Sequence, residues 1–225
     1  MADELGRLID TTPYLWRGNQ PLSQKLEVFP SGYQTLDRAL PSGGWPLGNI
    51  VELLPIAAGI GELRLLLPII RDITRNQGYV VIINTPYELY TPALVNAGVE
   101  LDYVLRITPK NRKDAFWVAE KALVTAACRM VLLWPDGFAD AAGQSKRYID
   151  HRLTRRLQVA ARSGNSILML YRFASHGGRG AMNKTPWATI RLLLTAMEGG
   201  LKLDVEKAIG SHRQSTIRLC WDDAS

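Results

Sequence analysis

Two periods of apolar residues alternate along this chain, and that alternation predicts its architecture. Short apolar runs at Ile50 to Leu54, Tyr79 to Asn84, Tyr103 to Ile107, Met130 to Trp134 and Ser166 to Tyr171 read as strands, and the uninterrupted runs at Met130 to Trp134 and Ser166 to Tyr171 look like strands buried on both faces. Helical patterns separate them. Leu66, Ile69, Ile70 and Ile73 share one face and Gly78 supplies a stop, while Thr91 and Pro92 open a short helix that Gly98 ends. Asp114 to Ala127 forms an Ala-rich amphipathic helix, with Ala115, Val118, Ala119, Ala122, Leu123 and Ala126 at three- and four-residue spacing. A basic helix runs from Tyr148 to Ser163, and a helical turn around Tyr33 to Leu40 precedes the first strand. Strands and helices in this order predict an α/β fold, a mostly parallel sheet flanked by helices.

The last third changes period. Leu201, Leu203 and Val205 alternate with Lys202, Asp204 and Glu206, between the apolar segments Thr189 to Thr195 and Thr216 to Trp221. Joined through Gly199-Gly200 and a loop from Gly210 to Ser215, these three predict antiparallel strands at one sheet edge, beginning near residue 188. Residues 1–28 carry Pro13, Gly18 and Pro21 and read as an arm ahead of a core that occupies residues 29–225. The arm's Tyr14, Leu15, Trp16 and Arg17 serve either as an anchor on their own domain or as a contact with another chain, so Trp16 and Arg17 are candidate partner-binding residues.

Composition removes several classes of function. With 47% hydrophobic residues in 225, the chain can bury a large core, yet none of its apolar runs approaches the roughly 20 residues of a membrane span. Met1 to Asp10 carry Asp3, Glu4 and Asp10 in place of a leader's apolar run, and Cys128 and Cys220 form no CxxC, so a reducing cytoplasm is expected. His151, His176 and His212 are scattered without a metal-binding spacing, and no nucleophile motif is present. Neither a metal, a cofactor nor a catalytic residue is expected.

Charge adds a location. The net charge is +6, but Lys146 to Arg191 holds ten Lys and Arg against Asp150 alone, leaving the remainder at −3. A basic block on a near-neutral body predicts a polyanion or an acidic protein as partner.

The turn after the first strand is where an α/β nucleotide-binding protein places its phosphate loop. A Walker A loop needs Gly, four residues, Gly, Lys and a hydroxyl residue. With Gly61 as the second glycine, the first glycine is Ile56, the lysine is Glu62 and the hydroxyl residue is Leu63. A carboxylate at the lysine position repels phosphate. Pro68 requires the following helix to start late or kink, and the third glycine of a dinucleotide fingerprint built on Gly59-Ile60-Gly61 falls on Arg64. The strand from Met130 closes on Trp134 where a magnesium-binding carboxylate belongs, and Asp136 beyond Pro135 reads as a turn residue. Ile56, Gly59, Gly61, Glu62 and Leu63 thus form a vestigial loop.

Phe29-Pro30-Ser31-Gly32, Leu36-Asp37, Gly43-Gly44-Trp45-Pro46-Leu47-Gly48 and Val51-Glu52-Leu53 are similar to the segment leading into the RecA-family phosphate loop. Leu15-Trp16-Arg17-Gly18, Leu40-Pro41-Ser42-Gly43-Gly44-Trp45-Pro46 and the run from Gly59 to Pro68 resemble the ImuA family of translesion-synthesis accessory proteins, a likeness that spans most of the chain and is weakest over residues 138–150. The resemblance implies a RecA-like sheet without ATP hydrolysis and a non-catalytic adaptor role in SOS-induced, error-prone translesion synthesis. It also implies three protein partners: an ImuB-like inactive homologue of Y-family polymerases, an error-prone DnaE-type polymerase and RecA. In the RecA pattern a catalytic Glu lies just past the second core strand, near Pro86 here, and a polar sensor falls near Arg172-Phe173. A SulA-type SOS division inhibitor, which binds the tubulin-like division protein on the same degenerate core, is the alternative.

RecA recombinases place two DNA-contacting loops where this chain has the stretches after Trp134 and after Tyr171. Lys146 and Arg147 fall in the first; Arg172, Arg179 and Lys184, with glycines between them, fall in the second. With Arg152, Arg155 and Arg156 of the basic helix, they are candidates for single-stranded DNA contacts. The competing reading is a solvated loop and, on the helix where Arg162 also lies, a salt-bridged solvent face.

Overall fold

The computed structural model describes residues 27–40, 42–135, 149–173, 187–209 and 215–223. A small antiparallel pair, β1 (Val28–Phe29) and β2 (Trp45–Pro46), brackets helix α1 (Gln34–Ala39). The main sheet contains β3 (Ile50–Pro55), β4 (Tyr79–Ile83), β5 (Val104–Ile107), β6 (Cys128–Leu133), β7 (Ile167–Tyr171), β8 (Ile190–Met197), β9 (Gly200–Ala208) and β10 (Thr216–Cys220). Their spatial order is β10-β9-β8-β3-β7-β6-β4-β5. From β8 to β5 all neighbours are parallel, while β9 and β10 are antiparallel additions. The antiparallel edge thus begins one strand later than the sequence predicts, because β8 lies alongside β3 and continues the parallel set.

Helices α2 (Leu67–Arg75) and α3 (Thr91–Asn96), together with α1, cover one face of the sheet; α4 (Arg112–Val124) and α5 (His151–Gly164) cover the other. Strand alternation divides the core accordingly. Val51, Leu53, Val80, Ile82, Met130 and Leu132 meet Leu36, Ile69, Ile70 and Ile73, whereas Ile50, Val81, Ile83, Val131, Leu133 and Leu168 meet Ala115, Ala119, Leu123, Leu157 and Ala161. Small alanines let α4 lie close to the sheet.

Local chemistry sets the helix ends. A 3-10 turn at Arg64–Leu66 precedes α2, with Pro68 in its first turn, so the helix starts late, as the proline requires. Its stop differs from expectation. Gln77, at φ +60°, takes the left-handed position, and Gly78 N–H donates to the Ile73 carbonyl, completing a Schellman closure. The Asn111 side chain caps α4 by accepting from Asp114 N–H, and Asp150 caps α5 by accepting from Arg152 N–H. Helix α3 has Tyr90 at its N-cap position, one residue earlier than the expected Thr91, which lies inside the first turn. At the far ends of α4 and α5 the helices nearly touch, and a Cβ on Gly164 would sit 1.9 Å from the Leu123 carbonyl oxygen.

Candidate functional site

Parallel α/β sheets bind ligands beyond the carboxyl ends of their strands, so the loop from Ile56 to Leu63 after β3 is the place to look. Gly59 and Gly61 adopt φ +77° and +100° and shape the turn. Glu62 folds back into that turn and is 1% exposed. Its Oε1 accepts the Gly59 N–H at 2.9 Å, so a backbone donor of the kind that cradles phosphate is taken by the chain's own carboxylate. Ile56 and Gly59 lie toward solvent, while Leu63 packs partly against the core.

Aromatic side chains fill the remainder of the crevice. Trp134, following β6, stacks on Tyr171 at the end of β7 with ring centroids 4.0 Å apart and planes 5° apart. Tyr87 meets Trp134 edge-on, and the Tyr171 hydroxyl donates to the Glu62 carbonyl oxygen at 3.1 Å. The buried Glu62 Oε2 and Tyr87 hydroxyl complete no hydrogen bond of ordinary geometry. Burial first, and then the Glu62 carboxylate, push the Tyr87 phenol upward; burial, Tyr87 and Glu62 do the same for Tyr171. Trp221 closes the mouth, so that a Cβ on Gly61 would lie 2.6 Å from its ring, and the Arg64 guanidinium sits 4.8 Å from that ring's centroid.

Around Pro86, where the RecA resemblance implies a catalytic glutamate, the polar side chains are engaged within the chain. Asn84, in the left-handed region at the end of β4, donates from its side chain to the Trp134 carbonyl oxygen. Glu88, the carboxylate nearest the expected catalytic glutamate, points outward and pairs with Arg106 on β5. At the end of β7, Tyr171 faces the crevice and Arg172 turns to the opposite side of the sheet.

That turn corrects one sequence expectation. Arg172 does not present its guanidinium to a polyanion: it is 1% exposed and its Nη1 donates to Glu52 Oε1 at 2.9 Å. Arg191 Nε donates to the other oxygen, Oε2, at 2.6 Å, so Glu52 bridges two arginines from β7's end and β8. Lys207, opposite Arg191 on β9, has its ammonium pKa lowered by burial and by Arg191, against a smaller raising effect of Glu52. In the sequence Glu52 stands out only within the Val51-Glu52-Leu53 likeness, with no sign of this ion-pair role taken from it. The available signal was a carboxylate in the middle of Ile50-Val51-Glu52-Leu53-Leu54, since a charge inside a buried strand requires a partner.

The other candidates are dispersed. Arg152, Arg155 and Arg156 lie exposed on α5; Arg156 is paired with Glu120 of α4, and Arg155 sits over the Trp187 ring at 5.7 Å. Lys146, Arg147, Arg179 and Lys184 lie outside the described residues, as do Trp16, Arg17, His176 and His212. His151 makes an edge contact with Trp187. Cys128 is buried and Cys220 exposed, and both are free thiols. Among the described residues no His, Cys, Asp and Glu cluster could hold a metal ion, and no helix is long and apolar enough to cross a membrane.

Comparison with known proteins fits this geometry. Residues 13–145 match the family model described as the RecA N-terminal domain. A plasmid-encoded RecA of Lactococcus lactis subsp. lactis is 29% identical over 111 residues, 49% of this chain and 32% of that protein. RecA of Bifidobacterium breve is 28% identical over 116 residues, covering 52% and 29%, and a mitochondrial DNA repair protein recA homolog of Dictyostelium discoideum is 28% identical over 116 residues, covering 52% and 25%. The chain aligns with about a third or less of each relative's length.

Proposed function

The chain belongs to the RecA N-terminal domain family, and from that premise we propose that it is a non-catalytic adaptor in DNA-damage tolerance. Kinship with DNA-repair proteins gives the broad setting. The resemblance of its Leu15-to-Gly18 and Gly59-to-Pro68 segments to ImuA proteins narrows it to error-prone translesion synthesis. In this reading the chain holds together an ImuB-like polymerase homologue, a DnaE-type polymerase and RecA at damaged DNA.

One observation carries the non-catalytic part: Glu62 replaces the phosphate-loop lysine and hydrogen-bonds the loop's own Gly59 N–H. A bound triphosphate would meet a carboxylate where a RecA-type ATPase needs a cation. The aromatic stack of Trp134 and Tyr171 further supports it, because a magnesium-binding carboxylate would have to occupy the Trp134 position.

The test has two arms. ATP hydrolysis by the purified chain with magnesium is expected to match a buffer blank; turnover that disappears in a Glu62→Ala variant would refute the reading. Capture with tagged protein from damaged cells is expected to recover the polymerase partners and RecA. Recovery of the tubulin-like division protein in their place would favour a SulA-type division inhibitor instead.

A further inference from the structure

Helices α4 and α5 lie side by side on the sheet, with a crevice between them that opens to solvent away from the phosphate loop. The Glu120–Arg156 ion pair spans its middle and divides it into two hollows. One, of about 320 Å³, has Phe116, Trp117, Leu153 and Leu157 in its walls; the other, of about 450 Å³, has Val124, Val159 and Ala160. Val159 is 61% exposed, Trp117 57% and Val124 45%, so both hollows hold apolar surface that is open to solvent. The rim is cationic. Five residues lining the hollows, Arg112, Lys113, Arg152, Arg155 and Arg156, are basic and only Glu120 is acidic.

We infer that this crevice is a docking site for an acidic amphipathic helix of a partner protein. The inference deepens the adaptor reading by giving it a surface and a partner chemistry. Leu153, in the wall of one hollow, and Ala160, in the wall of the other, are seven residues apart on α5, about 10 Å along the helix at 1.5 Å per residue. A helix lying along the crevice reaches both with apolar side chains at i and i+7, and its flanking Glu and Asp meet the arginine rim. The aliphatic share of the walls favours this occupant over nucleic acid: Phe116 and Trp117 are rings of one hollow alone, while Leu153, Leu157, Val124, Val159 and Ala160 suit apolar side chains better than stacked bases, and the donors able to meet phosphates belong to the rim. The arginines on α5, read from sequence as DNA contacts, here become the charged border of an apolar cleft.

The experiment is fluorescence anisotropy with the full chain. The probe is a labelled helical peptide carrying leucines seven positions apart among glutamates. Binding is expected to weaken roughly tenfold or more with Val159→Asp or Arg152→Glu, and by a similar factor when the peptide's leucines become serines. Because both altered side chains are exposed, an unchanged urea midpoint confirms that the variants fold. Equal peptide binding by wild type and Val159→Asp overturns the inference. So does a labelled oligothymidylate whose binding Arg152→Glu abolishes and Val159→Asp leaves intact, when the peptide itself does not bind. A dimer that Val159→Asp dissociates in sedimentation velocity would make a second copy the occupant and equally overturn it. Failure here removes this surface and leaves the adaptor role standing, whereas ATP turnover would sink that role and leave peptide binding untouched.

Discussion

Replacing Glu52 by Gln should be one of the most damaging single changes in the domain, although it only exchanges one carboxylate oxygen for an NH2 group of nearly the same size. Both carboxylate oxygens are engaged, with Arg172 at 2.9 Å and Arg191 at 2.6 Å, and the acid itself is 0% exposed. The substitution removes the negative charge between two buried guanidiniums and beside Lys207, whose ammonium already has a lowered pKa from burial and from Arg191. Removing one member of a buried ion pair costs about 3–5 kcal/mol, a large part of the 5–15 kcal/mol that holds a typical domain folded. With a urea m-value of about 2–3 kcal/mol/M for a chain of this size, the unfolding midpoint should fall by about 1–2.5 M. Added salt should restore little, because the site is shielded from counterions. A Glu52→Leu/Arg172→Met/Arg191→Met variant, which removes all three charges, should regain most of the loss. A midpoint shift for Glu52→Gln below about 0.3 M would refute the claim that this network supports the sheet.

Gly164→Ala, whose Cβ would lie 1.9 Å from the Leu123 carbonyl oxygen, should cost about 1–3 kcal/mol by forcing α5 away from α4, read as a lower urea midpoint. A thiol reagent near neutral pH should label Cys220 quickly and leave Cys128 unmodified until the chain unfolds, because burial pushes the Cys128 thiol up to about 11. Rapid labelling of both in the native protein would contradict that burial. Tyr87 and Tyr171 have phenol pKa values raised above the ordinary 10.0, so the folded state holds their protons more tightly than the unfolded chain does. Their contribution is complete below pH 10.0 and is lost as pH rises beyond it, so urea midpoints should fall on the alkaline side; a flat profile across that range would exclude the linkage.

The fold was largely legible because the buried strands announce themselves. Ile50 to Leu54, Met130 to Trp134 and Ser166 to Tyr171 are apolar enough to require cover on both faces, and the sheet places them side by side as β3, β6 and β7. What local pattern could not give was pairing direction. Nothing in Thr189 to Thr195 shows that this segment would lie parallel to β3 instead of opening the antiparallel edge, because direction depends on where a distant strand lies. The phosphate-loop residues were readable one by one, since Glu62 and Trp134 stand at positions defined by a fixed spacing. Their three-dimensional use was not: it takes the fold to bond Glu62 to Gly59 N–H and to stack Trp134 on Tyr171. Arg172 was misassigned for a related reason. Its neighbours in sequence suggested a loop, but its partner Glu52 is 120 residues away, where no local pattern can reach.

The Glu62 carboxylate also changes what can govern this loop. A tethered anion acts at an effective concentration on the order of millimolar or higher, set by its short linkage and independent of the cell's phosphate pool. A free nucleotide must therefore displace a competitor that is never diluted, and must leave a buried carboxylate near its own charge. Where a nucleotide-driven domain is timed by the filling and emptying of its pocket, this loop carries a permanent occupant. On the adaptor reading proposed above, its associations would be timed from outside, by the abundance and state of the molecules it meets.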